Sequence, residues 1–201
     1  MYGKIQMNYR LNKNTLLEAL SEWNRFIRRR VHLIACGGTA ITLAGIKPST
    51  KDVDFMVPKE KEYAYLMKQL KALGYKQVTG SGWKRAGEDF QFDLFSGKRI
   101  HTTELLDSPL MEGRHSILME FSHLYIGILN DYDLIVSKLM RGTRVDFEDC
   151  LNLTEAHRTE IDMDRLTRHF FKMISYDISE KRIKKNLDHF LELLRKKNLY
   201  E

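Results

Sequence analysis

The apolar run VHLIAC, Val31 to Cys36, stops at Gly37-Gly38, and this junction constrains the fold more than any other stretch of the chain. Branched residues dominate the run, and it is flanked by Arg28-Arg29-Arg30 on one side and glycines on the other, so it reads as a buried strand. The glycines permit a sharp turn, Thr39 is placed to cap a short helix through Ala40, Leu43 and Ala44, and Gly45 closes it. Beyond Pro48, Lys51 to Val57 alternates around Asp52, Val53, Asp54 and Phe55 as a second strand, which Pro58 stops.

The remaining chain wraps this unit. A helix is expected from Asn14, capped by Asn14 or Thr15, with Leu16, Leu20, Trp23 and Ile27 on one face and the arginine run at its end. Another runs from about Lys59 to Leu73 and ends at Gly74. YKQVT and GWKRAG resemble the two arms of a hairpin, and FQFDLF, Phe90 to Phe95, alternates as a strand. Residues 96 to 114 show no clear period, and Pro109 and Gly113 mark a loop or a broken helix. HSILMEF and LYIGIL have strand-like content, whereas everything past Asn130 carries the helical period. The expected fold is α+β, with a mixed β-sheet core over residues 1–129 flanked by helices and a C-terminal helical bundle over 130–201. In that bundle Asp162 and Ser179 are natural N-caps.

Several function classes fall away on composition. No apolar run approaches the ~20 residues that span a bilayer, and the first residues place charge where a signal peptide has its apolar region, so a cytoplasmic protein without a membrane partner is expected. Cys36 and Cys150 are too few for a disulfide framework or a thiolate zinc site. A net charge of +6 suits a polyanionic partner such as RNA, although the basic clusters are dispersed. The glycine turn matches neither the dinucleotide-binding nor the P-loop spacing.

Asp52 and Asp54, at i and i+2 of a strand, project from one face with Cα atoms about 6.6 Å apart. Such a pair suits a hard cation, and Gly37-Gly38 at a helix start suits the phosphates that accompany it. Asp93 is a carboxylate inside an aromatic strand, where it requires pairing, hydrogen bonds or a metal. If its strand neighbours that of Asp52, three carboxylates meet in a candidate two-metal centre.

Gly37-Gly38-Thr39-Ala40 followed by Lys47-Pro48-Ser49-Thr50-Lys51-Asp52-Val53-Asp54-Phe55 resembles the signature of the DNA polymerase beta-like nucleotidyltransferase superfamily, and within it the compact prokaryotic enzymes related to AbiEii and MenT toxins. Lys138-Leu139-Met140-Arg141 and Arg144 to Asp149 are similar to a further family pattern. The resemblance implies transfer of a nucleoside monophosphate from an NTP to an acceptor hydroxyl. Gly37 and Gly38 would hold triphosphate, Asp52, Asp54 and Asp93 would bind two Mg2+ ions, and Lys138 and Asp146 would serve nucleotide contact or site assembly. Lys47 replaces the usual arginine, and Gly38 a frequent serine, so a hydroxyl on phosphate falls to Thr39, Ser49 or Thr50. The basic balance favours an RNA end, such as tRNA, as acceptor, and the toxin resemblance implies an antitoxin protein as partner. Two readings stand beside these: a catalytically silent module that binds a nucleotide or a protein, and a merely structural role in which Lys138 and Arg141 pair with Asp133, Asp146 or Glu148 at the surface.

Overall fold

The computed structural model describes residues 10–175 and 177–200. The reading of the N-terminus as unlike a signal peptide falls largely on residues 1–9, outside those described. The elements, in chain order, are α1 (Lys13–Phe26), β1 (Val31–Ala35), α2 (Gly37–Leu43), β2 (Val53–Val57), α3 (Glu60–Ala72), β3 (Tyr75–Gln77), β4 (Gly82–Arg85), β5 (Phe92–Ser96), β6 (Arg99–Ile100), β7 (Thr103–Glu104), β8 (His115–Glu120), β9 (Leu124–Leu129), α4 (Asp131–Arg141), α5 (Arg144–Ala156), α6 (Met163–Ile174) and α7 (Glu180–Lys196). Seven strands form one mixed sheet in the order β3-β4-β5-β2-β1-β9-β8, and β6 and β7 make a separate hairpin. The fold is therefore α+β, as the sequence pattern indicates.

β2 lies at the centre, parallel to β5 and antiparallel to β1, which itself runs parallel to β9. All five β2 residues are buried, so the alternation of Asp and apolar residues separates two covered faces and not a wet face from a dry one. One apolar core joins Leu33, Phe55 and Phe92 of the sheet to Leu139, Phe170 and Phe190 of the helices. No helix among the described residues is long and apolar enough to cross a membrane.

Several local expectations need correction. α1 starts at Lys13 with Asn12 as its cap, whose side chain accepts from the Thr15 amide at 3.0 Å, and it ends at Phe26, before the arginine run. Tertiary structure sets that end: the chain must leave the helix to enter β1, and Arg30 there pairs with Glu120 at 2.7 Å. α2 starts at Gly37 with Cys36 as cap, so Thr39 lies inside the helix. β2 starts at Val53, which places Asp52 just ahead of the strand. Asp162 caps α6 by accepting from the Arg165 amide at 2.9 Å, whereas Ser179 precedes α7 without a side-chain cap bond. The unpatterned 96–114 stretch holds the β6–β7 hairpin.

Candidate active site

β2 and β5 bring two of the aspartates together. They pair in parallel with Asp54 directly opposite Asp93, and residues in register on neighbouring strands share one face at about 4.8 Å spacing. Asp52, two residues before Asp54 and exposed, stands at the mouth of the same site. Gly37 makes the arrangement possible: its φ is +57°, and a Cβ there would stand 2.5 Å from Asp54 Oδ2. At Gly38 a Cβ would meet Thr50 Oγ1 at 2.9 Å. α2 therefore lies directly against the β2 carboxylate because its first residues have no side chains.

Thr39 and Thr50 fix the loop that carries Asp52. The Thr39 hydroxyl, fully buried, donates to the Asp52 carbonyl at 3.0 Å and accepts from the Asp54 amide at 2.9 Å. Thr50 Oγ1 donates to the same carbonyl at 2.8 Å. Asp93 is oriented by Ser81 Oγ, which donates to it at 2.7 Å, and by Gln91 Nε2 at 3.2 Å.

The charges of this group are not balanced within it. Burial, followed by the nearby Asp52 and Asp93 carboxylates, raises Asp54 from the ordinary aspartate value of 3.8 to about 7. Arg141 and Lys138 oppose that shift from α4 without cancelling it.

The wall facing the aspartates is built from α4 and α5, and there each buried charge has a partner. Lys138, 2% exposed, places Nζ 2.8 Å from Asp149 Oδ2 and 3.7 Å from Asp146 Oδ1. Asp149 accepts from Lys47 on its other oxygen at 2.7 Å, which ties the loop after α2 to both helices. Asp146 accepts from Arg141 at 2.5 Å and from the Thr143 hydroxyl at 2.7 Å, closing the capping box that starts α5. The pairing of Lys138 and Arg141 is thus with Asp146 and Asp149, and for Lys138 it is interior and not at the surface.

Between this wall and the aspartates lies an open cleft of about 600 Å³. Gly38, Lys47, Thr50, Asp52, Asp54, Lys138 and Asp146 line it, as do Arg10, Lys51, Arg141, Arg144 and Glu148; Arg141 is paired with Asp146 and Arg144 with Glu148, so the positive charge not engaged in an ion pair at its rim is that of Arg10 and Lys51. Ser49 is held at the rim by Arg10, whose guanidinium donates to its hydroxyl at 2.8 Å and its carbonyl at 2.7 Å. Thr39 and Asp93 are not part of the cleft lining; Thr39 supports Asp52 and Asp54 from within, and Asp93 adjoins Asp54 in the sheet. A small recess of about 10 Å³, which shares Asp54, Lys138 and Arg141 with the cleft, is lined by Ile100, His101 and Thr103 of the β6–β7 hairpin together with Gly37 and Ser137.

Sequence reasoning missed Arg10 and the hairpin, and it placed Asp149 in a family pattern without its partners Lys47 and Lys138. Arg10 and Asp149 act on partners 39 and 102 residues away, and no local pattern announces such pairs. Asp131, His157 and Glu160 also bring potential metal-ligand atoms within 4.8 Å of one another, but His157 Nδ1, just past the end of α5, already lies 2.7 Å from Asp131 Oδ2 of α4.

A family model described as "Nucleotidyltransferase of unknown function (DUF6036)" matches residues 14–197. The chain belongs to this family. This nucleotidyltransferase is similar in fold to ANT(2'')-Ia solved in complex with adenylyl-2''-tobramycin, at 14% identity and a TM-score of 0.53, with 81% of this chain and 94% of that one covered. A solution structure of the same antibiotic-resistance factor aligns with a TM-score of 0.52 and 14% identity, over 87% of this chain and 94% of the other. MenT4, a nucleotidyltransferase toxin from Mycobacterium tuberculosis H37Rv, aligns at 15% identity and a TM-score of 0.45, covering 85% of this chain and 67% of its own. No curated protein matches the chain.

Proposed function

We propose that this nucleotidyltransferase moves a nucleoside monophosphate from an NTP to a hydroxyl at an RNA end, with Mg2+ held by Asp52, Asp54 and Asp93. The observation that carries the reading is the register of Asp54 against Asp93, two residues after Asp52, at the edge of a basic cleft of about 600 Å³. The donor set fits a hard divalent cation: it consists of carboxylate oxygens, and a buried Asp54 raised by its neighbours lacks the counter-charge that such an ion provides. When bound, the cation supplies charge neutralisation on the phosphoryl oxygens and on the leaving pyrophosphate.

The chain's own groups perform the remaining tasks. Arg10 and Lys51 attract and orient the triphosphate, and glycine at 37 and 38 lets the start of α2 close against Asp54 and Thr50. Asp93, oriented by Ser81 and Gln91, takes the proton of the attacking hydroxyl. The hydroxyl oxygen forms a bond to the α-phosphorus as the bond to the β-phosphate oxygen breaks, and pyrophosphate departs toward the basic rim. Lys47, Lys138 and Asp146 assemble the wall, and Thr39, Ser49 and Thr50 hold the Asp52 loop.

A net charge of +6 and the basic rim support RNA over protein as acceptor. The test is incubation with each α-labelled NTP, Mg2+ and either total RNA or total protein. Label is expected in RNA and lost in Asp52→Ala; label in the protein fraction overturns the acceptor, and none in either overturns the transfer. The sequence resemblance to toxin enzymes extends the reading to a toxin restrained by an antitoxin protein, for which growth arrest on expression, absent in Asp52→Ala, is the expected sign.

A further inference from the structure

The sheet continues past Asp93, and one of its faces stays uncovered there. β4 follows β5 on the side away from β2, with Gly82 in register with Asp93, and β3 follows β4, with Lys76 in register with Lys84. Residues in register share a face, as do residues two apart on a strand, so Asp54, Asp93, Gly82, Lys84 and Lys76 all stand on one face. The other face is closed: Trp83 and Phe92, in register with each other, are buried, Phe92 against Trp23 of α1 and Trp83 under Lys71 of α3. On the face shared with the aspartates, Lys76 and Lys84 are exposed.

The lysine pair is costly to the protein alone. Directly opposite residues of an antiparallel pair have Cβ atoms about 5 Å apart, and like charges there are destabilising. Lys76 and Lys84 form such a pair, and neither makes an ion pair with the described residues. In the open groove of about 400 Å³ that they line, Arg85 pairs with Glu88, and Asp89 is the other carboxylate. The tip of this hairpin is also tied to the site. Ser81 donates to Asp93 from its hydroxyl, and its carbonyl accepts from the Leu94 amide at 2.9 Å. Gln91 passes over Gly82 to reach Asp93, and a Cβ at Gly82 would stand 2.2 Å from its Nε2. By strand rise Lys84 lies about 10 Å from Ser81, the residue that holds Asp93.

The cleft that receives the NTP is lined from the α2 side, by the Asp52 loop, α4 and α5, and by no residue of β4 or β5. The attacking hydroxyl has to reach Asp93, and the open sheet next to Asp93 is β4 and β3. We infer that the exposed face of the β3–β4 hairpin is the docking surface for the RNA acceptor, with Lys76 and Lys84 holding backbone phosphates close to the end whose hydroxyl meets Asp93. This rests on the reading of the site as one that transfers a nucleoside monophosphate to RNA. Phosphates are the complement of this surface: two ammonium groups side by side replace the counterions of one strand, and the strand removes the repulsion between them.

Lys76→Gln/Lys84→Gln is compared with wild type and with Lys185→Gln/Lys196→Gln, which removes the same charge from exposed positions of α7. Binding of total tRNA carrying a 5′ fluorescein is followed by anisotropy across a salt series without NTP. Label transfer from α-labelled NTPs to the same tRNA gives KM for RNA, and calorimetry with a non-hydrolysable NTP and Mg2+ reads the NTP side separately. Loss of the hairpin pair is expected to weaken tRNA binding by about tenfold or more at low salt, to reduce the slope of log K against log salt by about two, and to raise KM for RNA by a similar factor. Its Tm is expected to stay the same or rise, because the like-charged pair is gone. The α7 variant is expected to lose much less affinity. A tRNA affinity and salt slope equal to wild type overturn the inference, as does an equal loss in the α7 variant or a loss matched by weaker NTP binding. A wild type that binds tRNA through the hairpin pair but labels neither RNA nor protein overturns the transfer reading and leaves the docking surface standing. Label that enters protein, with tRNA affinity indifferent to the pair, overturns both the RNA acceptor and this inference.

Discussion

The two walls of the cleft treat buried charge in opposite ways. On α4 and α5, Lys138, Arg141, Asp146 and Asp149 neutralise one another, with Lys47 reaching across to Asp149. On β2 and β5, Asp54 and Asp93 adjoin Asp52 with like charge, and Asp54 is pushed up to about 7. The compensated wall is a scaffold that holds three segments in place. The uncompensated one is a candidate site: burial, and after it the like charges of Asp52 and Asp93, leave Asp54 with a counter-charge that Arg141 and Lys138 supply only in part.

Breaking each wall should therefore have opposite consequences. Asp54→Asn is expected to cost about a thousandfold or more in transfer while raising the stability of the metal-free protein at pH 8, which thermal denaturation beside the labelled-NTP assay checks. If the variant is both inactive and less stable than wild type at that pH, the contrast fails.

Lys138→Ala removes the buried cation shared by Asp149 and Asp146, leaving them only Lys47 and Arg141, and it should cost roughly 3–5 kcal/mol in denaturant unfolding. Replacement by methionine, which keeps the bulk of the stem, is expected to be less damaging. A loss under about 1 kcal/mol would show that α4 and α5 do not depend on the pair.

The pH dependence sharpens the same contrast. Asp54 has a folded value of about 7 against an ordinary 3.8, so the folded state holds its proton more tightly than the unfolded chain does. Its contribution to stability is complete below about pH 4 and disappears as pH rises toward about 7, by a few kcal/mol in all. Metal-free wild type should lose stability across that window relative to Asp54→Asn, and Mg2+ should restore part of it above pH 7. Parallel pH profiles for the two proteins would contradict the unbalanced wall.

The smallest effect is expected at the helix start. Thr143→Ala opens the α5 capping box and should cost about 1 kcal/mol, with a modest loss of activity because Asp146 then relies on Arg141 and Lys138.

Much of the uncompensated wall is legible in the sequence. The strand, glycine turn and second strand follow from local pattern, and an aspartate inside FQFDLF demands a partner whatever the topology. Topology then supplies the partner, since β5 joins β2 in parallel and sets Asp93 opposite Asp54. The position of Thr39 escaped because a threonine after two glycines looks like a cap, whereas its hydroxyl is drawn to the edge of β2.

The compensated wall is hidden for a different reason. The sequence pattern singles out Arg144 to Asp149 without saying which of its carboxylates turn inward, and only packing against α4 buries Asp146 and Asp149 while leaving Glu148 outside. The hairpin carrying His101 consists of two-residue strands, too short for any period to register.

The central claim is that the three aspartates await a divalent cation, and it is tested most directly by the protons that leave when the cation arrives. Mg2+ is titrated into the nucleotide-free protein at pH 6 and again at pH 8.5, each in two buffers of different ionisation enthalpy. Because Asp54 is protonated below about pH 7, binding should release close to one proton at pH 6 and almost none at pH 8.5, and the release should be absent in Asp54→Asn. Equal heats in both buffers at pH 6, or proton release that survives in Asp54→Asn, would contradict the account.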